Sequence, residues 1–241
     1  ESGGHSTIEL RKTDDDSLVP FTRPRTGFWE QAGSDLDGEA ANDEFGCSVS
    51  LSEDGNSLVV GAKYNDGGAT NAGHARVFTW ANSTWSQLGN DLINGLTTDS
   101  HFGHSVAISS STAYKVAVGS PIEGDNFNQC GAVRILEKLS SNNWDDYETG
   151  ATIKGQNTGE RFGHSVAISS DASRIIVGAP HNSLAGRHAG AVRVYSLVNS
   201  AWEQTGITIY GDGYNNRLGH SVAISSAVSY THLTLPTKRI V

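Results

Sequence analysis

The sequence predicts an all-β fold, a β-propeller of four-stranded antiparallel blades, and three observations carry that expectation. The segment F/L-G-H-S-V-A-I-S-S begins at Phe102, Phe162 and Leu218, with a looser copy starting at Phe45. These starts lie 57, 60 and 56 residues apart, so one supersecondary unit of about 58 residues recurs along the 241-residue chain. Each unit holds four short β-prone segments separated by turn residues, and no stretch has helical period and length.

The segments follow one another in fixed order. Residues 48–52 are small and β-branched, which suits a strand near a crowded propeller axis. Glu53-Asp54-Gly55-Asn56 is a hairpin signal, because Asp-Gly accepts the positive φ angles of a tight turn. Residues 58–62 are apolar throughout, as in a strand covered on both faces. The third segment, Gly73-His74-Ala75-Arg76-Val77-Phe78 with sisters from Gly131 and Gly190, alternates apolar with polar and is read as turning its arginine outward. A tryptophan on the outermost strand closes each unit (Trp29, Trp85, Trp144, Trp202), of a size to fill the widening gap between blades.

Composition narrows the function classes. With 17 basic against 26 acidic side chains the formal net charge is −9, and no Lys/Arg cluster stands out, which argues against a nucleic-acid partner. No apolar run has the roughly 20 residues of a membrane helix, so no membrane insertion is expected within this stretch. Cys47 and Cys130 lie in different units and are expected as partly buried thiols, not as a disulfide framework. The chain lacks methionine, so it is expected to be processed or part of a longer protein.

Phe-Gly followed at sixteen or seventeen residues by Gly61-Ala62-Lys63, Gly119-Ser120-Pro121 and Gly178-Ala179-Pro180 resembles the FG-GAP repeat of the integrin α-chain N-terminal propeller. The Trp29-Glu30-Gln31-Ala32-Gly33 ending resembles FG-GAP-like repeats of eukaryotic microbial proteins. The resemblance spans about residues 4–227 and implies a seven-bladed propeller, of which this chain would supply three full repeats and partial ends. The expected units are 1–45 (the end of a preceding blade with an enlarged loop), 46–102, 103–162 and 163–218 (full repeats), and 219–227 (the start of another). Residues 228–241 match no sister unit; Val228 to Thr237 resembles a translated sequencing adapter, so this tail is expected to be foreign.

Repetition weighs against catalysis at the conspicuous motifs. Gly103-His104-Ser105-Val106-Ala107 resembles a nucleophile elbow, but Ser165 and Ser221 repeat it and no helix follows. His104, His164 and His220 are likewise read as joints between blades. The resemblance implies calcium in the loop between the first two strands, yet that loop is degenerate here, and no cofactor is expected. Asp35, Asp37 and Asp43 form an alternative calcium array that the sisters do not preserve, and a solvated acidic loop accounts for it.

What varies is the connection from strand two to strand three, at 63–72, 122–130 and 181–189, together with the connections between units, such as 91–101. Variable loops on a rigid scaffold are where binding lives, and Asp66, Asp125, Asn126, His181 and Arg187 are the ligand-facing candidates. Asn82-Ser83-Thr84 is a glycosylation sequon. The expected function is a non-enzymatic binding or cell-adhesion module of an extracellular or cell-surface protein, with a protein or glycan ligand and the remaining blades of the same chain as partners. The alternatives are the propeller of an enzyme with catalytic residues elsewhere, and a structural spacer.

Overall fold

The computed structural model describes residues 8–11, 18–21, 31–93, 98–110, 114–124, 129–138, 144–146 and 152–225. The chain divides into two compact units, Glu1–Ala32 and Gly33–Val241. In the first, β1 (Ile8–Arg11) pairs antiparallel with β2 (Leu18–Phe21). Residues 18–21, within the expected enlarged loop, are extended, and Pro20 is tolerated because β2 pairs on one side only among the described residues. Trp29 and the 228–241 tail lie outside the described residues.

The second unit contains three sheets of one design. The first comprises β3 (Phe45–Leu51), β4 (Ser57–Ala62), β5 (His74–Ala81), β6 (Thr84–Gln87) and β7 (Leu92–Ile93). The second comprises β8 (Ser105–Ile108), β9 (Lys115–Ser120), β10 (Ala132–Lys138), β11 (Trp144–Asp146) and β12 (Thr152–Lys154). The third comprises β13 (Ser165–Ile168), β14 (Arg174–Ala179), β15 (Ala191–Val198), β16 (Ala201–Gln204) and β17 (Ile209–Tyr210). All pairings within them are antiparallel, and no helix occurs among the described residues. The fourth strand position is split: β6 pairs with one half of β5 (Phe78↔Gln87) and β7 with the other (His74↔Ile93). Gly89 and Gly206, at φ +77° and +73°, turn the chain at this break, a conformation that favours glycine.

Neighbouring blades are stitched by the motif residues themselves. The hydroxyls of Ser48, Ser105 and Ser165 donate to the carbonyls of Gly103, Gly163 and Gly219 in the following blade, at 2.7, 2.8 and 2.8 Å. The same carbonyls press against Gly61, Gly119 and Gly178, where a Cβ would overlap them. The amides of Phe102, Phe162 and Leu218 donate to Ala72, Cys130 and Ala189 of the preceding blade, each at 2.9 Å. The repeated serine is therefore a blade-to-blade donor whose geometry leaves no role for it as a nucleophile.

The core lies between blades. Val59, Ala75 and Val77 meet Phe102, Val106, Val116 and Val118 at the first joint, with Trp144 against them. Ala107, Ala117 and Val133 meet Phe162, Ile175, Val177 and Ala191 at the second, with Trp202 against them. The Trp144 indole N–H also donates to the Leu88 carbonyl at 2.8 Å, so tryptophan fills the gap between blades as its size suggested. Apolar side chains stay exposed on the outer blades: Val49 and Leu51 on β3, and Ile207 and Ile209 at the end of the third.

Candidate functional site

Each blade carries a polar cluster beneath its loops, and the third shows it complete. Glu160 and Arg193 are 0% and 1% exposed and bond through both arms, Nη1 to Oε1 and Nη2 to Oε2, each at 2.9 Å. Asn182 Nδ2 and the Gln156 amide also donate to the same carboxylate. Desolvation pushes the Glu160 carboxyl up, but hydrogen bonds from Arg193, Asn182 and Asn157 outweigh it and hold the pKa below the ordinary value. In the second blade the acid has moved: Ser100 stands where Glu160 does, Glu123 stands where Asn182 does, and Arg134 faces Glu123 at 3.7 Å. Arg76 of the first blade is also buried, stacked 4.3 Å from the Phe45 ring centroid. The expectation of an outward arginine is thus corrected for Arg76 and Arg193, because the Phe45 ring covers the first and the Glu160 carboxylate reaches inward to the second.

The residue before each Phe/Leu-Gly adopts a left-handed conformation: Glu44, His101, Arg161 and Arg217 have φ between +51° and +56°. A backbone bond three residues on closes each turn, as from the His164 amide to the Arg161 carbonyl at 3.2 Å. A strained conformation kept in every unit, with a different side chain in most, presents variable chemistry from a fixed frame. These turns lie beside the strand-two-to-three loops. The Asp99 amide donates to Thr70, and the amides of Asn215 and Arg217 donate to Arg187 and His188, at 2.9, 2.9 and 3.0 Å.

One side of this loop face is basic. The His181 and His188 rings stack at 4.6 Å with a 26° tilt. Burial first, then Arg161, His188 and Arg217, pull the His181 pKa down to about 4. Arg161, Arg187 and Arg217 form no ion pair with a carboxylate among the described residues. Next to them runs a histidine column: the rings of His104 and His164 lie 4.8 Å apart, and those of His164 and His220 4.7 Å apart. Burial lowers His104 to about 4 and lowers His164 as well, and the Nδ1 atoms of both are buried without a hydrogen-bond partner. Cys47 occupies the equivalent position in the first blade, with Sγ 3.5 Å from the Gly61 carbonyl oxygen; it is exposed and not bonded to Cys130.

The other candidates sit as follows. Asp66 is exposed and accepts from the Asn71 amide at 2.7 Å, closing its own loop. Arg187 is exposed on the basic side. Asp125 and Asn126 lie outside the described residues. Asp35 and Asp37 are exposed, whereas Asp43 is buried and accepts from Asn65 at 2.7 Å. Asp54 is engaged by its own turn, accepting from Ser52 and the Asn56 amide at 2.6 and 3.1 Å. Asn82 and Ser83, at φ +51° and +61°, form an exposed two-residue turn.

Residues 36–78 and 152–195 match the family model described as FG-GAP repeat. These two segments are FG-GAP repeats. The two matched segments cover the first blade to Phe78 and the third to Tyr195, including the serine donor of each stitch. No curated protein matches the chain in sequence. Among solved structures, the periplasmic gluconolactonase PpgL of Pseudomonas aeruginosa aligns at TM-score 0.37 and 13% identity, over 83% of this chain and 51% of that one. A putative 6-phosphogluconolactonase from Bacteroides uniformis aligns at TM-score 0.29 and 14% identity, over 86% and 65%. The chain thus spans about half to two thirds of the length of these structures.

The expectation that the FG-GAP chain is not an enzyme is corrected by these neighbours, both described as lactonases. Among the described residues, Glu39, His74 and Asp91 converge in the first blade. At β5's first residue, the sister blades have Ala132 and Ala191 in place of His74. Likeness this distant assigns no reaction to the chain.

Sequence reasoning found His181 and Arg187 but missed Arg161, His188 and Arg217. The signal for Arg161 and Arg217 was the position before each Phe/Leu-Gly, where two units carry arginine, and that for His188 was its place in the variable loop 181–189. His74 was legible as a histidine at a sister alanine position.

Proposed function

We propose that this FG-GAP propeller segment is a ligand-binding module whose working surface is the loop face around His181, Arg187, His188, Arg161 and Arg217. Its ligand is a protein or glycan carrying negative charge. One observation carries the reading: three arginines without carboxylate partners among the described residues gather at a stacked histidine pair in a chain of net charge −9. An anion fits there because guanidinium groups bind carboxylates and sulfates through paired N–H donors. Extracellular placement belongs to the same proposal, supported by the exposed Asn82 turn where a glycan would meet solvent.

The test is binding of the full chain to sulfated, carboxylated and neutral glycans and to acidic and neutral peptides, across ionic strength. Binding restricted to anionic probes, weakening with salt and lost in Arg161→Ala/Arg217→Ala, is expected. Equal binding of neutral probes, or no effect of the double substitution, overturns the reading. A second reading, the propeller of an enzyme, is supported by the cluster of Glu39, His74 and Asp91 in the first blade.

A further inference from the structure

Glu39, His74 and Asp91 each offer a ligand atom, and these atoms lie within 4.8 Å of one another. We propose that they form a binding site for a divalent transition-metal ion of the zinc class, separate from the basic loop face.

His74 is the fixed member. It opens β5, opposite Ile93 of β7, and is 2% exposed. Its Nδ1 lies 3.8 Å from Glu39 Oε2, and its Nε2 is buried with no hydrogen-bond partner. A neutral imidazole offers one ring-nitrogen lone pair to a metal ion. Asp91, Glu39 and Asp43 place negative charge around it, opposed by Arg76.

The carboxylates can complete the set. Zinc binds nitrogen and oxygen at about 2.0–2.2 Å, so ligand atoms around it stand roughly 3.3–3.5 Å apart. Closing from 4.8 Å requires small side-chain swings, and Glu39 is exposed and Asp91 half-buried, so both have room. Asn65 Nδ2 donates to Glu39 Oε2 at 3.2 Å, and Gln87 Nε2 donates to Asp91 Oδ1 at 2.8 Å. Such bonds orient ligand carboxylates from outside the coordination sphere. The buried imidazole selects zinc-class ions over calcium, which prefers an all-oxygen cage. The location also differs from the calcium loop of integrin-like blades, whose counterpart here is the short turn at 52–56.

The test is titration of the chelator-treated full chain with Co2+, followed by visible absorption, and with Zn2+ by calorimetry. One ion per chain is expected, with Zn2+ displacing Co2+ and raising the Tm. His74→Ala installs the residue that both sister blades tolerate and should weaken binding at least about 10-fold. Glu39→Gln/Asp91→Asn changes exposed and half-buried groups only, so it provides the same test if His74→Ala fails to fold. His181→Ala should change nothing, which separates this site from the basic face. The absence of saturable binding, or equal affinity in the wild type and the double variant, overturns the proposal.

Discussion

The relocated acid of the polar clusters permits a transplant. Removing Glu160 strands Arg193, which is 1% exposed, and loss of one partner of a fully buried ion pair costs about 3–5 kcal/mol. Glu160→Ser should therefore destabilise the chain by that amount. Adding Asn182→Glu copies the second blade, where Ser100 and Glu123 take these places and Arg134 keeps a carboxylate. The double variant should regain at least half of the loss. Recovery should be incomplete, because the native second-blade pair is longer, at 3.7 Å, and more exposed. Asn182→Glu alone should destabilise, since two carboxylates would share one buried arginine. Urea unfolding of the four proteins closes the double-mutant cycle. A double variant no more stable than Glu160→Ser would falsify the view that the arginine needs one carboxylate from either position.

The joint between blades gives a second expectation. Gly178→Ala drives a methyl into the Gly219 carbonyl and should cost about 1–3 kcal/mol or more, whereas Ser165→Ala, which removes one donor, should cost about 1 kcal/mol; thermal denaturation of both variants ranks them. The third concerns pH. The folded pKa values of His104 and His164 are depressed, so the unfolded chain binds more protons below about 6.5; stability should hold above that pH and fall as pH drops toward 4. Below about 4.5 the contribution of Glu160, whose folded pKa is also depressed, is lost in turn. His104→Cys, borrowing the residue at Cys47, should flatten the slope between pH 6.5 and 4, and an unchanged slope in stability measured across that range would count against this assignment.

The propeller blades were legible because their landmarks are backbone requirements that repeat. Gly61, Gly119 and Gly178 admit no Cβ, and Ser48, Ser105 and Ser165 each meet the same kind of carbonyl, so periodicity alone exposed them. The orientation of Arg76 and Arg193 was not legible. Alternation along a strand says which face a residue shares, but not that Glu160, 33 positions earlier, reaches into that face. Strand β2 was missed because its length of four residues is close to that of a loop segment. The candidate site was half legible. His181 and Arg187 stand in a loop that differs from its sisters, while Arg161 and Arg217 belong to the motif region, where repetition drew the eye to the phenylalanine and glycine beside them.

The stitch between blades runs from a serine hydroxyl to a glycine carbonyl, and both partners are the same at every joint described. Nothing in that bond distinguishes one neighbour from another, so it supplies adhesion without address. The order of the blades must then be enforced by covalent sequence and by the apolar residues that differ between the two cores. A gene could duplicate or exchange a whole unit and find its edges already compatible, leaving the turn residue before each Phe/Leu-Gly free to change with the ligand.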